Sequence, residues 1–163
     1  MNDEVAPVHR NVARVTAAAA EAGLTISVIR FSEETRTAEE AARAVGCGVA
    51  QIVKSLVFVA DDEPVVALVP GDRRLDPERL AAALGAAETR RATGDEARSA
   101  TGYAIGGVPP LGHASALPVL MDRHLLEHAT VWAAAGLPDA VFEVDPRRLA
   151  VAARARVEDL AAD

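Results

Sequence analysis

The run Ile52-Val53-Lys54-Ser55-Leu56-Val57-Phe58-Val59 is followed by Ala60-Asp61-Asp62-Glu63 and then Pro64-Val65-Val66-Ala67-Leu68-Val69-Pro70. Two β-branched, apolar segments flank an acidic turn, which is the pattern of a β-hairpin. Residues 52, 54, 56 and 58 share one face of the first strand, and residues 53, 55, 57 and 59 share the other. Both faces are apolar, so the strand is expected to be covered on both sides. Lys54 interrupts it, and it is the one lysine among 17 basic residues. A compact ammonium on a flexible stem differs in kind from the planar fork of Arg. Near the start of a covered strand, Lys54 and Ser55 are expected at the mouth of a cavity. Desolvation there would lower the Lys pKa, and a bound phosphate would raise it again. A snorkelling or ion-paired lysine is the alternative.

On the N-terminal side of the hairpin, Val8 to Ala22 reads as a helix closed by Gly23. Thr25 to Phe31 alternates as a strand, and Thr37-Ala38-Glu39-Glu40 is a capping box for a short helix ending near Gly46. On the C-terminal side, Asp76-Pro77 starts a helix running to Gly85, and Thr93 with Glu96 caps another near Thr101-Gly102. Leu117–Met121, Thr130–Ala134 and Ala140–Val144 read as strands, and Asp145-Pro146 caps a last helix. Strands grouped around hairpins with interspersed helices predict one α+β domain over 1–163, with a mixed, largely antiparallel sheet.

Composition narrows the function classes. The chain has 163 residues, half of them apolar, which suffices for one proper core. A net charge of -7 and 3% aromatic residues argue against a broad basic nucleic-acid face or a base-stacking platform. DNA is therefore not an expected partner. The single cysteine, Cys47, forms no internal disulfide and suits a reducing cytoplasm. No signal-peptide order and no membrane-length apolar run is present, so a cytoplasmic location without membrane contact is expected.

Three further features bear on chemistry. The loop Gly106-Gly107-Val108-Pro109-Pro110-Leu111-Gly112 cannot be regular structure. Its glycines allow close approach of backbone to a ligand and its prolines stiffen the bend, so it could present fixed backbone groups to a reacting ester. A tight surface turn is the alternative. His124-Leu125-Leu126-Glu127-His128 matches the H-x-x-E-H pattern of inverted zinc peptidases, with both imidazoles on one helical face. With no third ligand evident, an exposed helical turn is expected and no metal. Arg73-Arg74 and Arg90-Arg91 are paired basics, either solvated or in contact with phosphate. There is no G-x-S-x-G, Walker loop or dinucleotide fingerprint.

Taken in order, these pieces resemble the YbaK family, also called the prolyl-tRNA synthetase-associated editing domain family. The resemblance is carried by Thr37–Ala42, Gln51–Phe58, Val69–Asp76, Thr101-Gly102-Tyr103, Gly106–Gly112 and Pro118–Asp122. It implies a curled, barrel-like, mostly antiparallel sheet with flanking helices, and hydrolysis of mischarged aminoacyl-tRNA by a free-standing protein.

The resemblance puts the catalytic elements on Lys54 and the backbone of Gly106. Substrate contacts are expected from Ser55, Gly107, Val108, Pro109 and Pro110, and also from His113, Asp122 and Phe31. Arg73 and Arg74 are expected on tRNA phosphates. The implied partners are the 3′ aminoacyl end of a mischarged tRNA and an aminoacyl-tRNA synthetase, with no cofactor. The removed amino acid is expected to be small, such as Cys or Ala, on a proline tRNA. Some members carry a Gly-rich segment with Ser and Asp lining the site. Here Ala133 to Asp139 lacks the Ser, which leaves amino-acid specificity open. A non-catalytic module of the same fold, binding a tRNA end, a nucleotide or a synthetase, is the alternative.

Overall fold

The structure is a computed structural model that describes residues 8–32 and 37–162. In chain order the elements are α1 (Arg10–Glu21), β1 (Val28–Arg30), α2 (Ala38–Val45), β2 (Val53–Ala60), β3 (Glu63–Pro70), β4 (Arg74–Leu75), α3 (Pro77–Leu84) and β5 (Thr89–Arg91). They continue with α4 (Gly94–Thr101), β6 (Val119–Asp122), β7 (Val131–Ala134), β8 (Ala140–Val144), α5 (Pro146–Ala152), β9 (Arg156–Glu158) and β10 (Ala161–Ala162). Short 3-10 turns at Val49–Gln51 and Arg123–Glu127 precede β2 and β7.

The β2–β3 hairpin organises the molecule. Its register runs from Val53 opposite Pro70 to Ala60 opposite Glu63. Asp61 and Asp62 make a two-residue turn at φ 46° and 69°, a left-handed conformation that matches the twist of the flanking strands. The Asp61 carboxylate accepts the Ala87 and Glu88 amides and so fixes the turn from outside. β3 is central in a five-stranded sheet ordered β5-β2-β3-β6-β9. The β3–β6 and β6–β9 pairings are parallel and the others in that sheet antiparallel. A second sheet, β1-β8-β7, is antiparallel, and β10 pairs with β4.

Alternation on the hairpin creates two cores. Val57, Val59, Val66 and Leu68 face α1, Tyr103, Val108 and the second sheet, whereas Phe58, Ala60, Val65, Ala67 and Val69 face α3 and Leu160. Cover on both sides is thus what the sequence implied. The two larger sheets meet at an isolated parallel bridge between Ile52 and Trp132.

Caps fall where the sequence places them. Thr37, Asp76, Thr93 and Asp145 each accept a first-turn amide, and Glu96 completes a reciprocal box with Thr93. α1 ends with Gly23 at φ 88°, whose amide bonds Ala20 O while the Leu24 amide bonds Ala19 O.

Three expectations are corrected. The sheet does not close: among the described residues the five-stranded sheet ends on β5 and β9, so the barrel-like curl is not a closed ring. The first strand is only Val28–Arg30, the residues that pair in register with β8, and the Phe31 amide bonds Asp139 O just beyond it. The 124–128 segment is not an exposed helical turn with two aligned imidazoles. It is a 3-10 turn in which His124 is buried with Nδ1 2.8 Å from the Asp122 carboxylate, while His128 forms the cap. In so tight a turn, residues four apart do not stack.

Candidate active site

A cleft of about 260 Å³ opens beside the Ile52–Trp132 junction. The start of β2 supplies Lys54, Ser55 and Val57, and the loop after α4 supplies Ile105, Gly106 and Val108. β7 and its turn contribute Trp132, Ala133, Ala134 and Pro138, while α2 and β5 close the sides with Ala38, Ala41 and Arg91. The amine and the double-glycine loop therefore face one cavity.

Lys54 is half-buried, and its Nζ donates to the Arg73 carbonyl at 2.6 Å. Among the described residues it forms no ion pair. Burial is the main cause that depresses its pKa, the Arg91 guanidinium pushes the same way, and Glu39 and Asp72 oppose with only a small further push down from Arg74. An ammonium destabilised by its surroundings and open to a cleft attracts an anion. Ser55 Oγ is buried and has no hydrogen-bond partner among the described residues, an unsatisfied polar atom in the strand that lines the cleft.

Gly106 is exposed at φ 94°, and a Cβ there would still find its nearest neighbour, Pro138 Cγ, at 3.9 Å. Gly107 is different: a Cβ would lie 3.0 Å from Gly136 O and from Leu137 Cα, so any side chain there presses the loop away from the 136–138 turn unless that backbone gives way. Residues 107–111 are buried, which overturns the surface-turn reading of this loop. Among the described residues, the Gly106 and Val108 amides make no backbone hydrogen bond, whereas the Gly107 amide bonds Ala104 O at 2.9 Å.

Several expected contact residues stand behind the site instead of in it. His113 Nε2 lies 2.7 Å from Pro109 O, so it braces the loop, and burial lowers its pKa against the opposing effect of that bond. Gly107, Pro109 and Pro110 belong to the buried frame of the loop. Phe31 does not line the cleft; its amide bonds Asp139 O at 2.8 Å. Asp122 is fully buried away from the cleft. One of its carboxylate oxygens accepts the Leu160 and Ala161 amides, and the other accepts the His124 amide and faces the His124 ring. Expected as a substrate contact, it does not line the cleft in this structure.

Asp139 pairs with Arg30 at 3.0 Å and does not line the cleft either. Arg73 serves Lys54 through its carbonyl, and Arg74 is exposed on β4. Asp122, His124 and Asp159 bring three ligand atoms within 4.8 Å, but the Asp122 oxygens are committed as above and Asp159 pairs with Arg79 and Arg123. Sequence reasoning missed Arg91 and Trp132 as lining residues. Arg91 was marked only as half of a basic pair, and it stands on a three-residue strand with no apolar alternation, so nothing local placed it on the cleft.

Residues 32–151 match the model of the aminoacyl-tRNA editing domain, and the chain belongs to that family. Among solved structures, a putative trans-editing enzyme for prolyl-tRNA synthetase superposes with a TM-score of 0.91 at 42% identity, covering 96% of this chain and 100% of the other. The putative Cys-tRNA(Pro)/Cys-tRNA(Cys) deacylase EbsC of Enterococcus faecalis is 29% identical over 120 residues, 73% of each chain. A proline–tRNA ligase of Nitratidesulfovibrio vulgaris is 39% identical over 89 residues, 55% of this chain, and the match spans 16% of that ligase. No helix among the described residues is long and apolar enough to cross a membrane.

Proposed function

We propose that this chain hydrolyses the ester between a small amino acid, such as Cys or Ala, and the terminal ribose of a mischarged tRNA, with proline tRNA as the carrier. The observation that carries this reading is the shared cleft: an ammonium with no carboxylate partner among the described residues on one wall, and an exposed, glycine-built backbone on the other. Lys54 holds the terminal phosphate or adenosine end. The backbone around Gly106 orients the ester and an attacking water. Water adds to the carbonyl carbon, the carbon–oxygen bond to the ribose breaks, and the ribose oxygen leaves with a proton. The neighbouring ribose hydroxyl assists that transfer.

Among the described residues no Asp, Glu, His or Cys lines the cleft. An aminoacyl ester is already activated, so positioning and electrostatic stabilisation suffice without a protein nucleophile. The small apolar wall of Val57, Ala92, Ala133 and Val141 admits small side chains. A methylene is worth only about 1–3 kcal/mol in such a pocket, so tRNA features supply the remaining discrimination. Arg73 and Arg74, next to the Lys54 contact, serve the tRNA backbone. The likeness to a prolyl-tRNA synthetase trans-editing enzyme supports a cytoplasmic role beside that synthetase.

The test is incubation with a panel of mischarged tRNAs. Release of a small amino acid, at least about 10-fold slower in Lys54→Ala, is the expected result. Protection of the ester throughout the panel would instead identify a binding module of the same fold.

A further inference from the structure

Helix α1 lies outside the residues 32–151 that match the editing-domain model, yet glycines around the cleft press against it. A Cβ on Gly102 would meet the Arg14 guanidinium at 3.2 Å, one on Gly112 would meet Ala18 Cβ at 2.8 Å, and one on Gly136 would meet Asn11 O at 3.0 Å. All of these glycines have positive φ. Arg14 also stacks over the Tyr103 ring at 5.0 Å. α1 thus backs the cleft loop at both ends and the 136–138 turn between them.

One contact in this backing is polar and directional. Asn11 Nδ2 donates to Gly136 O at 3.1 Å. The same carbonyl is the atom against which Gly107 is packed, at 3.0 Å from a Cβ position. Asn11, Gly136 and Gly107 therefore form a stack whose last layer carries Gly106 and Val108 into the cleft.

We propose that Asn11 is a positioning residue of the editing cleft, whose side-chain amide fixes the Gly136 turn and through it the Gly106–Val108 wall. This rests on the function proposed above only for its kinetic readout. The turn has its own closing bonds, Ala135 N to Ala140 O at 2.9 Å and Ala140 N to Leu137 O at 3.2 Å. Loss of the Asn11 donor therefore shifts the turn without unfolding it. A displacement of the loop by a fraction of an ångström degrades the alignment of ester and water, and such misplacement lowers a rate constant steeply.

Asn11→Asp separates placement from stability. It keeps the shape, removes the donor, and puts an anion in the first turn of α1, where the helix dipole favours it. Asn11→Ala is the companion variant. In both, the single-turnover deacylation rate at saturating mischarged tRNA is expected to fall about 10-fold, with tRNA affinity and melting temperature close to wild type. Hydrogen exchange of the 106–108 amides should rise while that of β2 and β3 does not. Wild-type rate and exchange in Asn11→Asp would overturn the proposal, and so would a rate loss that tracks only a lower melting temperature. If the wild-type protein deacylates no tRNA in the panel, the functional reading fails, and the exchange measurement alone decides whether Asn11 holds this wall.

Discussion

Replacing Lys54 by Ala tests the site most directly, because structure and charge predict different consequences for activity and for stability. The ammonium makes one hydrogen bond, to Arg73 O at 2.6 Å, from a half-buried position that already disfavours its charge. Removing it loses that bond but also relieves the cost of keeping an ammonium partly dry. The net change in folding free energy should stay within about 1 kcal/mol. Activity has no such compensation. A hydrogen bond to a charged group contributes about 1.5–3 kcal/mol, so kcat/KM should fall about 10- to 150-fold from lost phosphate binding alone. Any misplacement of the ester deepens the loss. The salt dependence of tRNA binding should flatten by about 0.7 in the log–log slope for one single-strand phosphate contact. Lys54→Arg keeps the charge, yet a planar fork cannot occupy a space set by a 2.6 Å contact, so most of the activity should still be lost. The pH profile adds a sign. The folded-state pKa lies below the ordinary 10.5, so activity falls as pH rises through that lowered value. Over the same interval up to 10.5 the unfolded chain binds more protons, and the Lys54 contribution to stability therefore increases with pH. The assay is release of labelled amino acid from mischarged tRNA, with urea unfolding alongside. A Lys54→Ala protein with kcat/KM within about twofold of wild type would remove this lysine from the chemistry.

Gly107→Ala should leave the sheet intact and lower the deacylation rate by about 100-fold, since its Cβ would be forced to within 3.0 Å of backbone at Gly136 and Leu137; wild-type turnover would show that the loop adjusts freely. Asp122→Ala should destabilise the fold by at least about 3 kcal/mol in urea, because it orphans the buried Leu160, Ala161 and His124 amides. Activity per folded molecule should be preserved, and a selective loss of turnover would return Asp122 to the substrate site. Glu96 has its pKa lowered to about 2 by its hydrogen bonds to Arg90 and to the Thr93 amide. Its stabilising contribution is complete above the ordinary carboxyl pKa and is lost as pH falls through about 2. Glu96→Gln should therefore flatten the acid limb of the melting-temperature profile, and an unchanged limb would contradict the pairing.

The hairpin, the caps and the strand Ala140–Val144 were legible because each carries its own local pattern: alternation, a polar cap or a proline at the first helical position. β4, β9 and β10 carried none. Arg74-Leu75, Arg156–Glu158 and Ala161–Ala162 are strands only because distant partners and the Asp122 carboxylate hold them there. The same divide runs through the site. Lys54 and the Gly106 loop could be read, since an ammonium in an apolar strand and a double-glycine bend are anomalies of the sequence itself. Arg91 and Trp132 could not, because only the packing of β5 and β7 against β2 turns them toward the cleft. His113, Asp122 and Asp139 were legible as polar residues near the right motifs, but their hydrogen bonds point into the frame, at Pro109, at the C-terminal strand and at Arg30. Residue type alone cannot separate a brace from a ligand contact, since both require a buried or half-buried polar group with a fixed direction. Among the described residues, apart from the Trp132 indole, the polar side chains that reach the cleft are Thr37, Lys54, Ser55 and Arg91. None of them is a general base of ordinary strength at neutral pH. On the function proposed above, ester hydrolysis in this cleft would draw on the activation already present in the substrate, and the fold would contribute geometry: a cation for the phosphate, and a backbone wall in which Gly107 packs within 3.0 Å of the Gly136 turn.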